Sequence, residues 1–183
     1  MSQGFQETLV CQEKAGTVFD TYTTAKTVIA PTSLITLPSN YLKIGKALRV
    51  TVVGGLSNIV TTPGTITMQV MMGSIVAFTT GAIQLNATAH TLLPFWLDVI
   101  LTCRATGSGT STNLMGVGRL QGIQPTLTAA QVDAVNTGGI FSAPATTPTV
   151  GTGFDATIAN ILDFWTGFSI SNAGNGIQVS NYL

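Results

Sequence analysis

The sequence predicts an all-β fold, a jelly-roll β-sandwich of about eight antiparallel strands with little helix. Apolar and polar side chains alternate with a period of two wherever a pattern recurs, and a period of 3.6 is scarce. The alternating runs are short and are separated by turns rich in Gly, Pro, Asn, Ser and Thr. Threonine is the commonest residue of the 183; its branched Cβ favours extended backbone, and its hydroxyl keeps a strand face wet without charge.

Along the chain, residues 7–12 and 18–22 are expected to form an N-terminal strand pair, and residues 33–37 a short strand. Leu48-Arg49-Val50-Thr51-Val52 alternates cleanly, and after the turn Thr61-Thr62-Pro63-Gly64 so does Ile66-Thr67-Met68-Gln69-Val70. Residues 81–85 give a further short strand. In residues 97–104, Leu97, Val99, Leu101 and Cys103 fall on one face, with Asp98, Thr102 and Arg104 on the other, so Cys103 points inward. A Gly- and Ser-rich loop at 106–111 leads to a return strand at 114–120, whose glycines weaken it or mark a bulge. Residues 164–170 and 177–183 close the sheet set, joined by the turn at 171–176.

Two segments carry the only helix signals, 128–135 with Thr128 as N-cap and a turn in 155–162, and both read equally well as loop. The stretch 121–153 is the least regular and holds one charge, Asp133. So long a loop in one domain is usually functional or packed on a neighbour. The expected organisation is an N-terminal segment at 1–39, an arm or added strands, followed by a jelly-roll domain at 40–183 containing that loop.

Asp, Glu, Lys and Arg make up 8% of the chain, 45% is hydrophobic, and seven acids balance seven bases. That is roughly a third of the charge usual in soluble domains. A surface so neutral is expected to be covered by other subunits, with the remaining charge gathered where solvent is still met. Lys14, Lys26, Lys43, Lys46 and Arg49 lie early, and Asp133, Asp155 and Asp163 stand without a base in the last third, a dipole suited to contacts between copies. A mean hydropathy of +0.44 would suit a membrane protein, yet no run nears the roughly 18 apolar residues of a spanning helix, so no membrane is expected. Met1-Ser2-Gln3-Gly4-Phe5-Gln6-Glu7 has no basic or apolar region of a secretory signal, which predicts synthesis in a cytoplasm.

Chemistry needs paired ionisable or nucleophilic groups, and the supply is small. His90 is the only histidine, and a Cys103 or serine nucleophile using it as base has no signature around it. Cys11 and Cys103 are too far apart for a metal motif and read as buried free thiols. Gly107-Ser108-Gly109 and Gly151-Thr152-Gly153 lack the lysine of a phosphate loop. No dense basic patch interleaved with aromatics marks nucleic-acid binding. The expectation is therefore no catalytic residue, no cofactor and no metal ligand. Trp96 falls with Asp98 and Ile100, and Trp165 falls opposite Phe164 and Phe168, so both face away from the core side. With Phe141, Val150 and Phe154 they are the candidate interface residues, and core packing and then glycan stacking are the competing uses of the two tryptophans.

Residues 46–50, 61–67 and 99–107, with 153–163 and 169–173, resemble small jelly-roll virion proteins of tailed bacteriophages. The likeness runs from about residue 40 to the end and rests on strand and turn patterns. It implies a non-enzymatic structural protein, most simply a capsid decoration or cement protein that forms homotrimers and bridges subunits of the phage major capsid protein. It implies a place on the capsid exterior after synthesis in the host bacterial cytoplasm. A tail or head-fibre protein whose jelly roll binds a glycan or receptor is the alternative.

Overall fold

In the computed structural model, the described residues are 18–122, 140–144 and 153–182, and of Ile140 and Phe141 only the backbone is described. Eleven strands appear among them and no α-helix: β1 (Phe19–Asp20), β2 (Lys26–Thr27), β3 (Ile35–Leu37), β4 (Ala47–Asn58), β5 (Thr65–Met72), β6 (Ile75–Gln84), β7 (His90–Ala105), β8 (Asn113–Gln121), β9 (Ile140–Ala143), β10 (Asn160–Phe168) and β11 (Gly176–Tyr182). They form the two-layer sandwich that the alternation predicts. A six-stranded front sheet runs β1-β11-β4-β7-β8-β9, and a back sheet runs β2-β10-β5-β6, with β3 also pairing β10. Every pairing is antiparallel. The connections β3 to β4, β4 to β5, β6 to β7 and β10 to β11 cross between the sheets, while β5–β6 and β7–β8 are hairpins within one sheet.

Period-two burial explains why these segments are strands. Val50 and Val52 of β4, Leu97, Val99 and Leu101 of β7, and Ile66, Met68 and Val70 of β5 are wholly buried, and each alternates with a polar or exposed neighbour, while β5 ends on two buried residues, Met71 and Met72. The two inner faces meet in one continuous core that also takes in Phe164 and Phe168 of β10 and Ile177, Val179 and Tyr182 of β11. Burying each such side chain stabilises the fold by about 1.5–3 kcal/mol relative to exposure.

The glycines of β8 mark a close approach between the sheets. A Cβ on Gly116 would lie 2.8 Å from Phe78 Cδ2, and one on Gly118 would lie 2.8 Å from the Asp98 carbonyl oxygen and 3.3 Å from Phe78 Cζ. The Phe78 side chain of β6 therefore occupies the space that β8 leaves by lacking side chains. In the predicted turn, Gly64 has φ +73°, a left-handed conformation that glycine adopts without strain.

Residues 19–37 supply edge strands to both sheets: Phe19 pairs Ile177, Thr27 pairs Trp165, and Ile35 pairs Leu162. Tyr22 anchors them. Its ring packs edge-on against Phe168 at 5.5 Å, and its hydroxyl is hydrogen-bonded to Thr166 Oγ1 within the core. Burial pushes the Tyr22 hydroxyl up to about 12. Lys26 Nζ sits 4.3 Å above the Tyr22 ring, a cation–π contact.

The structure differs from the sequence expectations in several elements. Residues 18–22 do pair, but β1 joins the last strand, β11, and residues 7–12 lie outside the described residues. The strand expected at 81–85 starts at Ile75, and β7 starts seven residues before the expected Leu97, at His90. Within the stretch read as loop, Ile140–Ala143 forms β9 on β8. The helix candidate at 128–135 lies outside the described residues. At 155–162 a tight turn, with the Asp155 carboxylate accepting from the backbone and hydroxyl of Thr157, runs into β10 at Asn160.

Candidate functional site

The outer face of the front sheet is built row by row from registered residues. One row reads Arg49–Ile100–Val117 across β4, β7 and β8, the next Thr51–Asp98–Arg119, and the next Val53–Trp96–Gln121. On the other side of the first row lies Ala47–Thr102–Met115. Because Leu48, Val50, Leu97, Val99 and Leu101 are held in the core, their even or odd partners must face out. Trp96 and Ile100 are each 50% exposed and Val117 is 43% exposed. A regular sheet thus presents an apolar surface to solvent at its centre.

A charge cluster divides this surface. Arg49 donates from Nε and a terminal nitrogen to the two Asp98 oxygens, both at 2.8 Å. Thr51 Oγ1 donates to the same carboxylate at 3.3 Å, and an Arg119 terminal nitrogen stands 3.5 Å from it. Asp98 is nearly buried beneath guanidiniums that are themselves exposed. The Arg49 hydrogen bonds hold its carboxyl below the usual range, against burial, which acts the other way.

The outer face of the back sheet is of another character. Trp165 stands in a row with Thr27, Gln69 and Thr79. It is half-buried, and its indole Nε1 donates to Asp163 Oδ2 at 2.6 Å. Thr27 Oγ1 and the Phe164 backbone N–H also donate to Asp163. Burial nevertheless raises the Asp163 carboxyl above its ordinary range.

Of the three candidate interface residues whose side chains are described, Trp96 alone is freely exposed. Trp165 faces outward as alternation requires, but its indole is tethered to Asp163. Phe154 is buried in the protein's own core, where its backbone bridges Thr112 through two hydrogen bonds, so its ring is not available to a partner. The side chain of Phe141 and all of Val150 lie outside the described residues. The pattern missed the rest of the exposed face, Ile100, Val117, Met115 and the arginines. Their parity with Trp96 in β7 and with Arg49 in β4 was the signal that could have found them.

The groups considered for chemistry are kept apart. Cys103 and His90 lie at opposite ends of β7, thirteen residues or about 40 Å apart along an extended strand, so they form no nucleophile–base pair. Cys103 is a buried free thiol, and burial pushes it up, away from thiolate. His90 Nε2 is buried without a hydrogen-bond partner among the described residues. No group of three or more His, Cys, Asp or Glu side chains comes together among them to hold a metal. A depression of about 400 Å³ between Thr61, Pro63, Gln84, Leu85 and Ile170 is lined by no charged side chain. No family model matches the chain, and neither a curated protein nor a solved structure is detectably similar to it.

Proposed function

We propose that the protein is a structural component of a tailed-phage virion, a capsid decoration protein that works as a homotrimer and bridges major capsid subunits on the outside of the head. The observation that carries this reading is the outer face of the front sheet, where Trp96, Ile100 and Val117 stand exposed on the neighbouring strands β7 and β8. Large apolar side chains left exposed on both sides of a charge cluster are costly for a free monomer and suit permanent contact with a neighbour. The scarcity of charge and the phage-like strand and turn segments support the same reading. Attachment would come from modest contacts summed over several subunit junctions.

Quantitative mass spectrometry of purified virions, with add-back of the protein to heads that lack it, tests this. Hundreds of copies per particle and saturable binding to heads are expected. Absence from the particle, or a concentration-independent monomer that ignores such heads, would sink the proposal. One observation favours a second reading: the exposed Trp96 indole is flanked in its row by the Gln121 amide, the pairing of a flat ring and a hydrogen-bonding group that stacks on a sugar. A few to tens of copies, with host-cell binding lost in Trp96→Ala and particles intact, would turn the assignment to a fibre or tail protein.

A further inference from the structure

All three arginines of the chain stand on the outer face of the front sheet. Arg49, Arg104 and Arg119 come from β4, β7 and β8, and antiparallel register brings Arg49 and Arg119 to Asp98 from its two sides. Arg49 is opposite Ile100, Arg119 is opposite Asp98, and Arg104 is exposed at the irregularity between Cys103 and Ala105, four residues beyond Ile100 in β7. Asp98 is the only carboxylate on these three strands. Three guanidiniums against one carboxylate leave this surface two charges positive in a chain whose net charge is zero. Arg49 engages both Asp98 oxygens. Arg119 is left with a loose 3.5 Å approach, and Arg104 has no ion pair among the described residues. Asp20, at the far corner on β1, is eight residues' length along the strands from Arg49, roughly 26 Å.

We propose that this face docks an acidic protein segment, an extended stretch of a partner that presents on one side two carboxylates with apolar side chains between them. The guanidinium fork matches a carboxylate bidentately, and among the described residues neither Arg119 nor Arg104 is engaged in that way. Ile100, Val117 and Met115 lie between them and give the intervening apolar side chains a surface to cover. Charge complementarity argues against the same face of a second copy, because two such surfaces meet positive against positive. It also disfavours nucleic acid, whose closely spaced phosphates call for a denser basic field than two net charges broken by apolar residues. From Trp96 to Arg104 the face is roughly 26 Å long, and its three strands are about 10–15 Å wide. That area, roughly 350 Å², is under half of the ~800 Å² per partner of a stable pairwise complex. One face therefore holds weakly, and several on one oligomer hold well. The proposal rests on the reading above that the protein works by attachment, and it names the chemistry to which it attaches.

Fluorescence anisotropy with the full chain tests it, using a ten-residue peptide with glutamate at its second and eighth positions, valine at its fourth and sixth and threonine elsewhere, the same peptide with lysine for glutamate, and a ten-nucleotide oligothymidylate. The glutamate peptide should bind, several-fold more weakly at 300 mM than at 50 mM salt. The variant Arg104→Glu/Arg119→Glu should lose at least tenfold with an unchanged thermal midpoint, and Arg104→Gln/Arg119→Gln should fall between. No binding of the glutamate peptide, equal binding by the reversed variant, or tighter binding of oligothymidylate overturns the proposal. A parallel assay on heads that lack the protein separates the two claims. Equal binding of wild type and the reversed variant to heads keeps the virion reading and removes this one. Peptide binding without head binding does the reverse.

Discussion

Asp98 lies on a solvent-facing surface and is nonetheless almost buried, because Arg49 reaches across the strand pair to cover it. Its lowered carboxyl means that the folded state favours the ionised form, chiefly through the Arg49 hydrogen bonds. The stabilisation is then fully present above the ordinary aspartate value, about 3.9, and is lost as pH falls through the depressed folded value. Denaturant unfolding from pH 7 to pH 2 should show a steeper acid decline in wild type than in Asp98→Asn, with the variant about 1–2 kcal/mol less stable at pH 7. Parallel curves would mean that the pair contributes nothing. Asp163 carries the opposite sign: its raised carboxyl favours the protonated fold, so its contribution weakens as pH rises from the ordinary value through the raised one. Comparing each single variant with wild type keeps the two effects apart. Gly116 is a purely steric case, since an added Cβ would lie 2.8 Å from Phe78 Cδ2 and 2.9 Å from Phe78 Cβ. Gly116→Ala should cost about 1–3 kcal/mol by overpacking, and Phe78→Leu in the same chain should relieve part of that cost in a double-mutant cycle. Full additivity of the two substitutions would show that the ring is not what excludes the methyl.

The strands differ sharply in how they are held, and that difference sets both their stability and how readily they could be read. β4 and β7 are paired on both sides over long registers and β10 pairs β5 from Leu162 to Phe168, with β3 and β2 covering parts of its other side, whereas β1 and β2 are two residues long and lie at sheet edges. Amide hydrogen exchange followed by mass spectrometry should find the slowest amides in β4, β7 and β10 and the fastest described strand amides in β1 and β2. Exchange of β4 as fast as that of β2 would contradict this topology. The central strands were legible because burial on one face writes a period-two pattern: Leu48-Arg49-Val50 and Leu97-Asp98-Val99 announce both strand and face. β6 was only half legible, because register shifts at its pairing with β5 break the alternation near Val76 and Ala82. β9 is four residues of Ile-Phe-Ser-Ala with no alternation, and its strand character comes from the neighbour β8. Trp96 could be placed on the outer face by parity alone. The outward placing of Arg49 and Arg119 follows from the same parity, but only the register of three strands brings both to Asp98. Phe154 failed as a surface residue because an isolated bridge to Thr112 folds the chain back onto the core, an effect that local sequence does not record.

At the scale of the molecule, near-zero net charge and an exposed apolar sheet face act together. With seven acids against seven bases and a pI near 6.5, little long-range repulsion keeps copies apart at neutral pH. Contact through Ile100 and Val117 would therefore meet no electrostatic barrier except the local arginines, which select for a partner of opposite charge. Ile100→Lys/Val117→Lys places two more cations in the row already occupied by Arg49 without touching the core, since both side chains are about half exposed. Light scattering over a concentration series should show this variant to be more soluble and no less monodisperse than wild type, with its thermal midpoint moved by only a degree or two, because surface substitutions usually change stability by less than about 0.5 kcal/mol. Add-back to heads that lack the protein should fail for it, since the apolar surface between the guanidiniums is gone. If the variant decorates heads as wild type does, the outer face of the front sheet is not the surface by which this protein attaches, and the back-sheet face around Trp165 becomes the one to alter next.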